Sequence, residues 1–266
     1  MKHLRAAWRL TAVALLAITL ILPVLAAGKW RPRLRNRLVQ IFFKLALRAM
    51  GVRWSAKGTP PPAGTPALMV SNHLSYIDIF VLCAATGAIF IAKEDIRGWP
   101  VVRHFVNSAG TLYVSRKPQA MKEEAAQLRD TLLSGQRLVL FAEGTTGTGT
   151  RILPFRSGFF SLCEELPDLP VYPVSLAYTA IDGIPVGRNW LPHVAWYGDM
   201  TFAGHLWQFL GLGRMTVGLR FHAPVTSRQI GDRKMLARYC HGVVQEGWEE
   251  LRHARVKKEA PANAGA

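Results

Sequence analysis

The feature that most narrows the possible folds is an alternation that begins at Ala67. Short apolar runs at 67–71, 89–92, 111–115, 137–141, 171–178 and 215–221 read as strands. Between and after them, segments at 76–86, 99–108, 118–134, 157–166, 203–210 and 232–252 read as helices. Strand and helix taking turns in this way predicts an α/β domain, with a central mixed, mostly parallel sheet flanked by helices. The first run, Ala67-Leu68-Met69-Val70, leads into Ser71-Asn72-His73-Leu74-Ser75-Tyr76-Ile77-Asp78. Ser75 followed three residues later by Asp78 reads as a helix start. His73 then falls on a strand-to-helix loop, where a rigid scaffold can present a reactive group.

Charge separates a second region from this domain. The net charge is +16, yet residues 1–50 hold ten basic residues and no acidic one, and Asp78 is the first acid in the chain. Leu10 to Ala27 carries no charge at all, close to the roughly 17–25 apolar residues of a spanning helix. Three readings fit: a signal peptide cleaved near Val24-Leu25-Ala26, a true span, or a helix kinked at Pro23 that dips into one leaflet. In the second, Lys29, Arg31, Arg33, Arg35 and Arg37 would hold the main domain in the cytoplasm. Leu34, Leu38, Ile41, Phe42, Leu45 and Ala49 then recur at helical spacing, with Arg33, Arg35, Arg37, Lys44 and Arg48 largely off that face. This pattern suits an amphipathic helix on anionic lipid; packing on the domain is the plainer alternative. The apolar run beside the basic residues favours a bilayer over nucleic acid as the partner. The expected division is a membrane anchor and amphipathic helix at 1–50, a linker with room for a short strand at 51–66, the main domain at 67–255 and a disordered tail at 256–266. Cys83, Cys163 and Cys240 show neither zinc spacing nor a disulfide framework, which fits a reducing compartment.

Several residues can carry chemistry. His73 and Asp78 would lie about 140° apart on a continuous helix and could not meet. With His73 on the loop and Asp78 in the first turn they can. The carboxylate would then fix the imidazole tautomer and make His73 a general base; the plainer account is a capping carboxylate beside a polar loop residue. Glu143 follows a strand and opens the Gly/Thr-rich loop Gly144-Thr145-Thr146-Gly147-Thr148-Gly149-Thr150-Arg151, able to cradle a phosphate through N–H groups and hydroxyls. It is neither a P-loop nor a dinucleotide fingerprint, and a plain surface loop has the same composition. Arg156 stands where the next helix opens, a position suited to anions. Lys93 and Arg116 end strands, where ligands gather in α/β sheets, although surface ion pairs are the commoner use. Pro173 inside a strand implies an edge or a bulge. No Gly-x-Ser-x-Gly elbow and no His-Glu-x-x-His pattern occurs, so nothing points to a serine hydrolase or a catalytic zinc.

Taken in order, these blocks resemble the glycerolipid acyltransferase family typified by 1-acyl-glycerol-3-phosphate acyltransferases. Asn72-His73 to Asp78 matches its Asn-His-x4-Asp; Gly110, Tyr113, Val114 and Arg116 match its Gly-x-x-Phe/Tyr-Val-x-Arg. Phe141, Glu143, Gly144 and Thr145 match its Phe-Pro-Glu-Gly-Thr, and Val171, Pro173 and Val174 its Val-x-Pro-Val. The resemblance covers residues 67–180. It implies direct acyl transfer from acyl-carrier protein or coenzyme A to a lysolipid hydroxyl, without a covalent acyl-enzyme, at the cytoplasmic face of a bacterial inner membrane. His73 would deprotonate the hydroxyl, Asp78 would orient and charge-balance it, and nearby donors would stabilise the oxyanion. Asn72, Lys93, Arg116, Glu143, Gly144, Thr145, Arg151 and Arg156 would surround the acceptor, and Pro173 would shape the substrate tunnel. The thioester is a co-substrate; the chemistry implied needs no metal and no cofactor. The first expectation for the acceptor is lysophosphatidic acid, giving phosphatidic acid. Three departures bear on it: Ala142 replaces the Pro of the Glu-Gly-Thr block, Arg103 stands where relatives have Gly, and Thr146 replaces a basic residue. The last removes a phosphate contact of about 1.5–3 kcal/mol, which Arg151 or Arg156 can compensate. Lyso-ornithine lipid is therefore the alternative acceptor. A non-catalytic lipid-binding protein on the same fold is the alternative of another class.

Overall fold

A computed structural model describes residues 1–28, 30–93, 112–114 and 121–253. The expected helix at 99–108, Arg103, Gly110, Arg116 and the tail at 256–266 lie outside these residues. The strands are β1 (Val52–Lys57), β2 (Ala67–Ser71), β3 (Ile89–Lys93), β4 (Leu112–Val114), β5 (Arg137–Phe141), β6 (Val171–Ile181), β7 (Ile184–Pro185) and β8 (Met215–Phe221). The helices are α1 (Lys2–Ala27), α2 (Pro32–Ala49), α3 (Ile77–Thr86), α4 (Met121–Leu133), α5 (Ser161–Glu165), α6 (Leu191–Val194), α7 (Phe202–Gly211), α8 (Ser227–Ile230) and α9 (Arg233–His253).

The sheet runs in the order β1-β8-β6-β2-β5-β3-β4, with β7 paired to β6. Strands β6, β2, β5, β3 and β4 are mutually parallel, β8 joins β6 antiparallel, and β1 pairs parallel with β8. This is the mixed, mostly parallel sheet that the alternation predicts. Every residue of β2 is buried, as befits a strand covered by helices on both faces. Its side chains alternate between two cores: Met69 joins Val139, Leu176 and Val217 on one face, while Leu68 and Val70 join Leu138, Leu140 and Ala177 on the other. Helices α2 and α3 lie on the first face. Helix α9 covers the second with Leu236, Ala237, Cys240, Val244 and Trp248, all buried at helical spacing.

Register places the site. Ser71 pairs with Phe141 of β5 and with Val174 of β6. The loops after β2 and β5 therefore leave one edge of the sheet together, while β6 runs on to Ile181 beside them.

Two expectations change. Pro173 does not sit on an edge: β6 is interior, between β8 and β2. Its carbonyl accepts a hydrogen bond from His222 N at 3.0 Å, one residue past the end of β8. In a strand the N and C=O of a residue point the same way, so the missing N–H falls where the ladder stops. The apolar stripe expected on α2 also divides. Phe42 of that stripe is buried in the domain core, alongside Phe43, Ala46 and Leu47 on the adjacent face, whereas Leu34 and Ile41 remain 43% and 41% exposed. Helix α2 is both a core helix and half of an exposed apolar hairpin. The other half is α1, long and apolar enough to cross a membrane, with Leu15, Ile18, Leu22 and Leu25 exposed.

The near end of α1 is fastened to the domain. Arg5 Nη1 donates to Leu212 O at 2.9 Å, and Arg9 Nη1 donates to Leu210 O at 3.1 Å and Leu212 O at 2.8 Å. These are carbonyls at the C-terminal end of α7, which a cation suits. Since α2 leads straight into β1, both ends of the hairpin meet the domain.

Candidate active site

Strand β2 ends at Ser71 and the chain turns through Asn72–Tyr76 into α3. Asn72 closes the turn. Its amide donates to Leu176 O and accepts from Leu176 N, both at 2.9 Å, continuing the β2–β6 ladder with a side chain. Asn72 is fully buried and its polar atoms are engaged, so it braces the loop rather than facing an acceptor, contrary to the role the resemblance implies.

The next residue presents the imidazole. His73 Nδ1 lies 2.9 Å from Asp78 Oδ2. The same oxygen accepts from Leu74 N at 2.6 Å and Ser75 N at 2.8 Å, and Oδ1 accepts from the Tyr178 hydroxyl at 2.7 Å. Asp78 is fully buried; four donors around one carboxylate call for an acceptor-only group. Nδ1 of His73 therefore carries a hydrogen, and Nε2 is the basic nitrogen. The ring stacks on Phe141, centroids 3.8 Å apart and planes 11° apart, which fixes its second rotational freedom. Ser75 N bonded to Asp78 is half of the expected helix-start arrangement, with the helix itself beginning at Ile77. Capping and orienting fall to one carboxylate.

Glu143 holds the loop from the β5 side. Its Oε1 accepts from His73 N at 2.7 Å and its Oε2 from Leu153 N at 2.9 Å. Burial pushes the carboxyl up to about 7, against the opposing pull of those two N–H groups. Gly147 N adds a bond to His73 O at 2.8 Å. Gly144 turns with φ +71°, and a Cβ there would meet Phe159 Cε2 at 3.1 Å and Arg156 Nε at 3.2 Å, so glycine is required on both counts. Arg156 thus lies against the Glu-Gly-Thr turn. Thr145, Arg151 and Arg156 are exposed and Thr146 is half-buried. Lys93 ends β3, paired with Val114, and Pro173 is buried beside Val70.

The structure thus brings together His73, Asp78, Glu143 and Gly144, with Arg156 on the turn. Sequence reasoning misses Tyr178 and Trp196, whose N–H donates to Leu74 O at 2.8 Å. The only local signal for Tyr178 is a hydroxyl in the apolar run Leu176-Ala177-Tyr178, since a buried tyrosine hydroxyl needs a partner.

Comparison with known proteins agrees with this geometry. Residues 55–177 match the family described as Acyltransferase. The chain is 35% identical over 239 residues to a lyso-ornithine lipid O-acyltransferase of Brucella abortus, covering 87% of this chain and 86% of the relative. It is 29% identical over 206 residues to a 1-acyl-sn-glycerol-3-phosphate acyltransferase of Neisseria gonorrhoeae, covering 77% and 78% of the two chains. The crystal structure of a 1-acyl-sn-glycerophosphate acyltransferase from Thermotoga maritima superposes with a TM-score of 0.70 at 21% identity, covering 100% of both chains, a likeness of fold.

Proposed function

The chain belongs to the acyltransferase family that contains these lysolipid enzymes, and from that premise we propose that it moves a fatty acyl group from a thioester to the hydroxyl of lyso-ornithine lipid. The observation that carries the chemistry is the 2.9 Å contact between His73 Nδ1 and buried Asp78. His73 Nε2 takes the proton of the acceptor hydroxyl as its oxygen attacks the thioester carbonyl. The C–O bond forms, the C–S bond breaks, and the proton returns from His73 to the leaving thiolate. Asp78 keeps the tautomer and balances the imidazolium in between. The carrier on that thiolate is acyl-carrier protein or coenzyme A.

Two observations favour an acceptor without a phosphate. Thr146 is uncharged where a phosphate-binding cation is expected, and three relatives named lyso-ornithine lipid O-acyltransferase match at 35%, 30% and 30% identity. Lysophosphatidic acid is the second reading, supported by Arg156 against the Glu-Gly-Thr turn and by the Neisseria relative. Purified protein offered both acceptors with one acyl thioester separates them. Preferential esterification of lyso-ornithine lipid is the expected result; exclusive use of lysophosphatidic acid overturns the acceptor assignment. The exposed apolar residues of α1 and α2 support attachment to a bilayer. A hairpin with both ends on the domain favours dipping from one side, and the basic residues at 29–37 favour the cytoplasmic side.

A further inference from the structure

The catalytic loop is held from a third direction, and that hold leads back to the membrane hairpin. Tyr76 lies between His73 and Asp78, with its ring boxed by Phe202 (centroids 4.9 Å), His205 (5.6 Å) and Trp196 (5.9 Å). Its hydroxyl is 3.0 Å from His205 Nδ1. His205 sits on α7 and is only 4% exposed. A histidine this deep in an aromatic box, bonded to a residue of the catalytic loop, asks for a reason. Burial pushes the Tyr76 hydroxyl up and the His205 imidazole down, so the hydrogen bond joins a neutral phenol and a neutral ring. Trp196 N, on the segment just before α7, also holds Leu74 O.

The same helix carries α1. Arg5 and Arg9 bind the carbonyls that end α7, and the Trp207 indole N–H donates to His3 Nδ1 at 3.1 Å. Helix α7 thus meets α1 at its C-terminal end and along its middle, while His205 in its first turn meets the catalytic loop. A rigid helix contacted by both is a physical connection between two sites. The outer side of α1 exposes Trp8, Leu15, Ile18 and Leu22, so the bilayer acts directly on the element that α7 grips.

We propose that Tyr76 and His205 form a positioning latch, through which the seating of α1 on α7 sets the placement of His73 and Asp78. Neither residue touches the reacting atoms; the latch acts through the loop and rests on the His73–Asp78 reading. Docked hairpin and aligned loop are then one state, and an enzyme whose α1 is unseated turns over slowly although its active-site residues are intact.

The test uses the full chain bound to anionic phospholipid vesicles, with acyl thioester and lysolipid. H205A and Y76F are each expected to lower kcat about tenfold, equivalent to ~1.4 kcal/mol, with acceptor KM, vesicle binding and thermal midpoint near wild type. H205Q, which keeps a polar partner for the phenol, is expected to recover most of that loss. The paired change R5A/R9A should lower kcat in the wild-type background and add little in the H205A background. Wild-type kcat in Y76F and H205Q together with H205A overturns the latch, as does a full multiplicative loss when R5A/R9A is combined with H205A. Should H205A fail to fold, Y76F and H205Q carry the same comparison. An inactive H73A alongside normal latch variants sinks the latch alone; an active H73A sinks the reading beneath it.

Discussion

Asp78 shows how much one side chain is asked to do. It starts α3, orients His73 and takes the Tyr178 hydroxyl, all from a fully buried position. A hydrogen bond to a charged group contributes about 1.5–3 kcal/mol, so Y178F should lower kcat at least about tenfold through looser aim of His73. Acceptor KM should stay the same; a KM-only effect would show that Tyr178 serves binding instead. Glu143 makes a pH prediction. Its carboxyl is raised from 4.5 to about 7 by burial, so the folded state holds the proton more tightly than the unfolded one. Stability is then fully supported below about pH 4.5 and declines as pH rises through about 7, by about 3 kcal/mol at the linkage rate of ~1.4 kcal/mol per pH unit. Denaturant unfolding across that window should show the decline in wild type and a flat line for this contribution in E143Q. Equal slopes in the two proteins would contradict it.

At the scale of elements, α2 changes what the hairpin is. Phe42, Phe43, Ala46 and Leu47 are buried, so removing residues 1–50 would open the core. The sharper change is I18D/L22D/L25D on the exposed face of α1, where the residues are 66%, 70% and 61% exposed. Co-sedimentation with vesicles should fall sharply while the circular dichroism spectrum keeps its shape; retained binding would move the membrane contact elsewhere. Elements with strong local signals were legible in sequence. β2 and β5 coincide with their apolar runs, and α9 follows its stripe to within a residue. β1 falls inside the 51–66 linker where a short strand is expected, and Val52, Trp54 and Ala56 alternate there with Arg53, Ser55 and Lys57 as a half-exposed strand requires. For Pro173, no local rule contains the fact that β8 ends opposite it. The apolar residues of α2 cover two adjacent faces, and only packing decides which is dry. In the site, the five-residue spacing of His73 and Asp78 was readable. Tyr178 and the backbone grip of Glu143 join residues 100 and 70 positions apart, and no local pattern contains that information.

Taken whole, the molecule sets a sheet edge that presents His73 beside a hairpin with exposed apolar residues on both helices. The loops after β2 and β5 leave the sheet side by side because their strands are in register, and α7 lies between the catalytic loop and α1. An acceptor with one acyl chain resides in the bilayer, so turnover should follow its surface concentration rather than its bulk concentration. The most direct measurement is acyl transfer by purified full-length protein and its H73A variant, with labelled acyl thioester and lysolipid in vesicles. Wild type should form the O-acylated product. H73A should lose at least about a hundredfold in kcat, the lower range for removing a general base, while binding vesicles and unfolding as wild type does. An H73A variant with wild-type turnover would contradict the account.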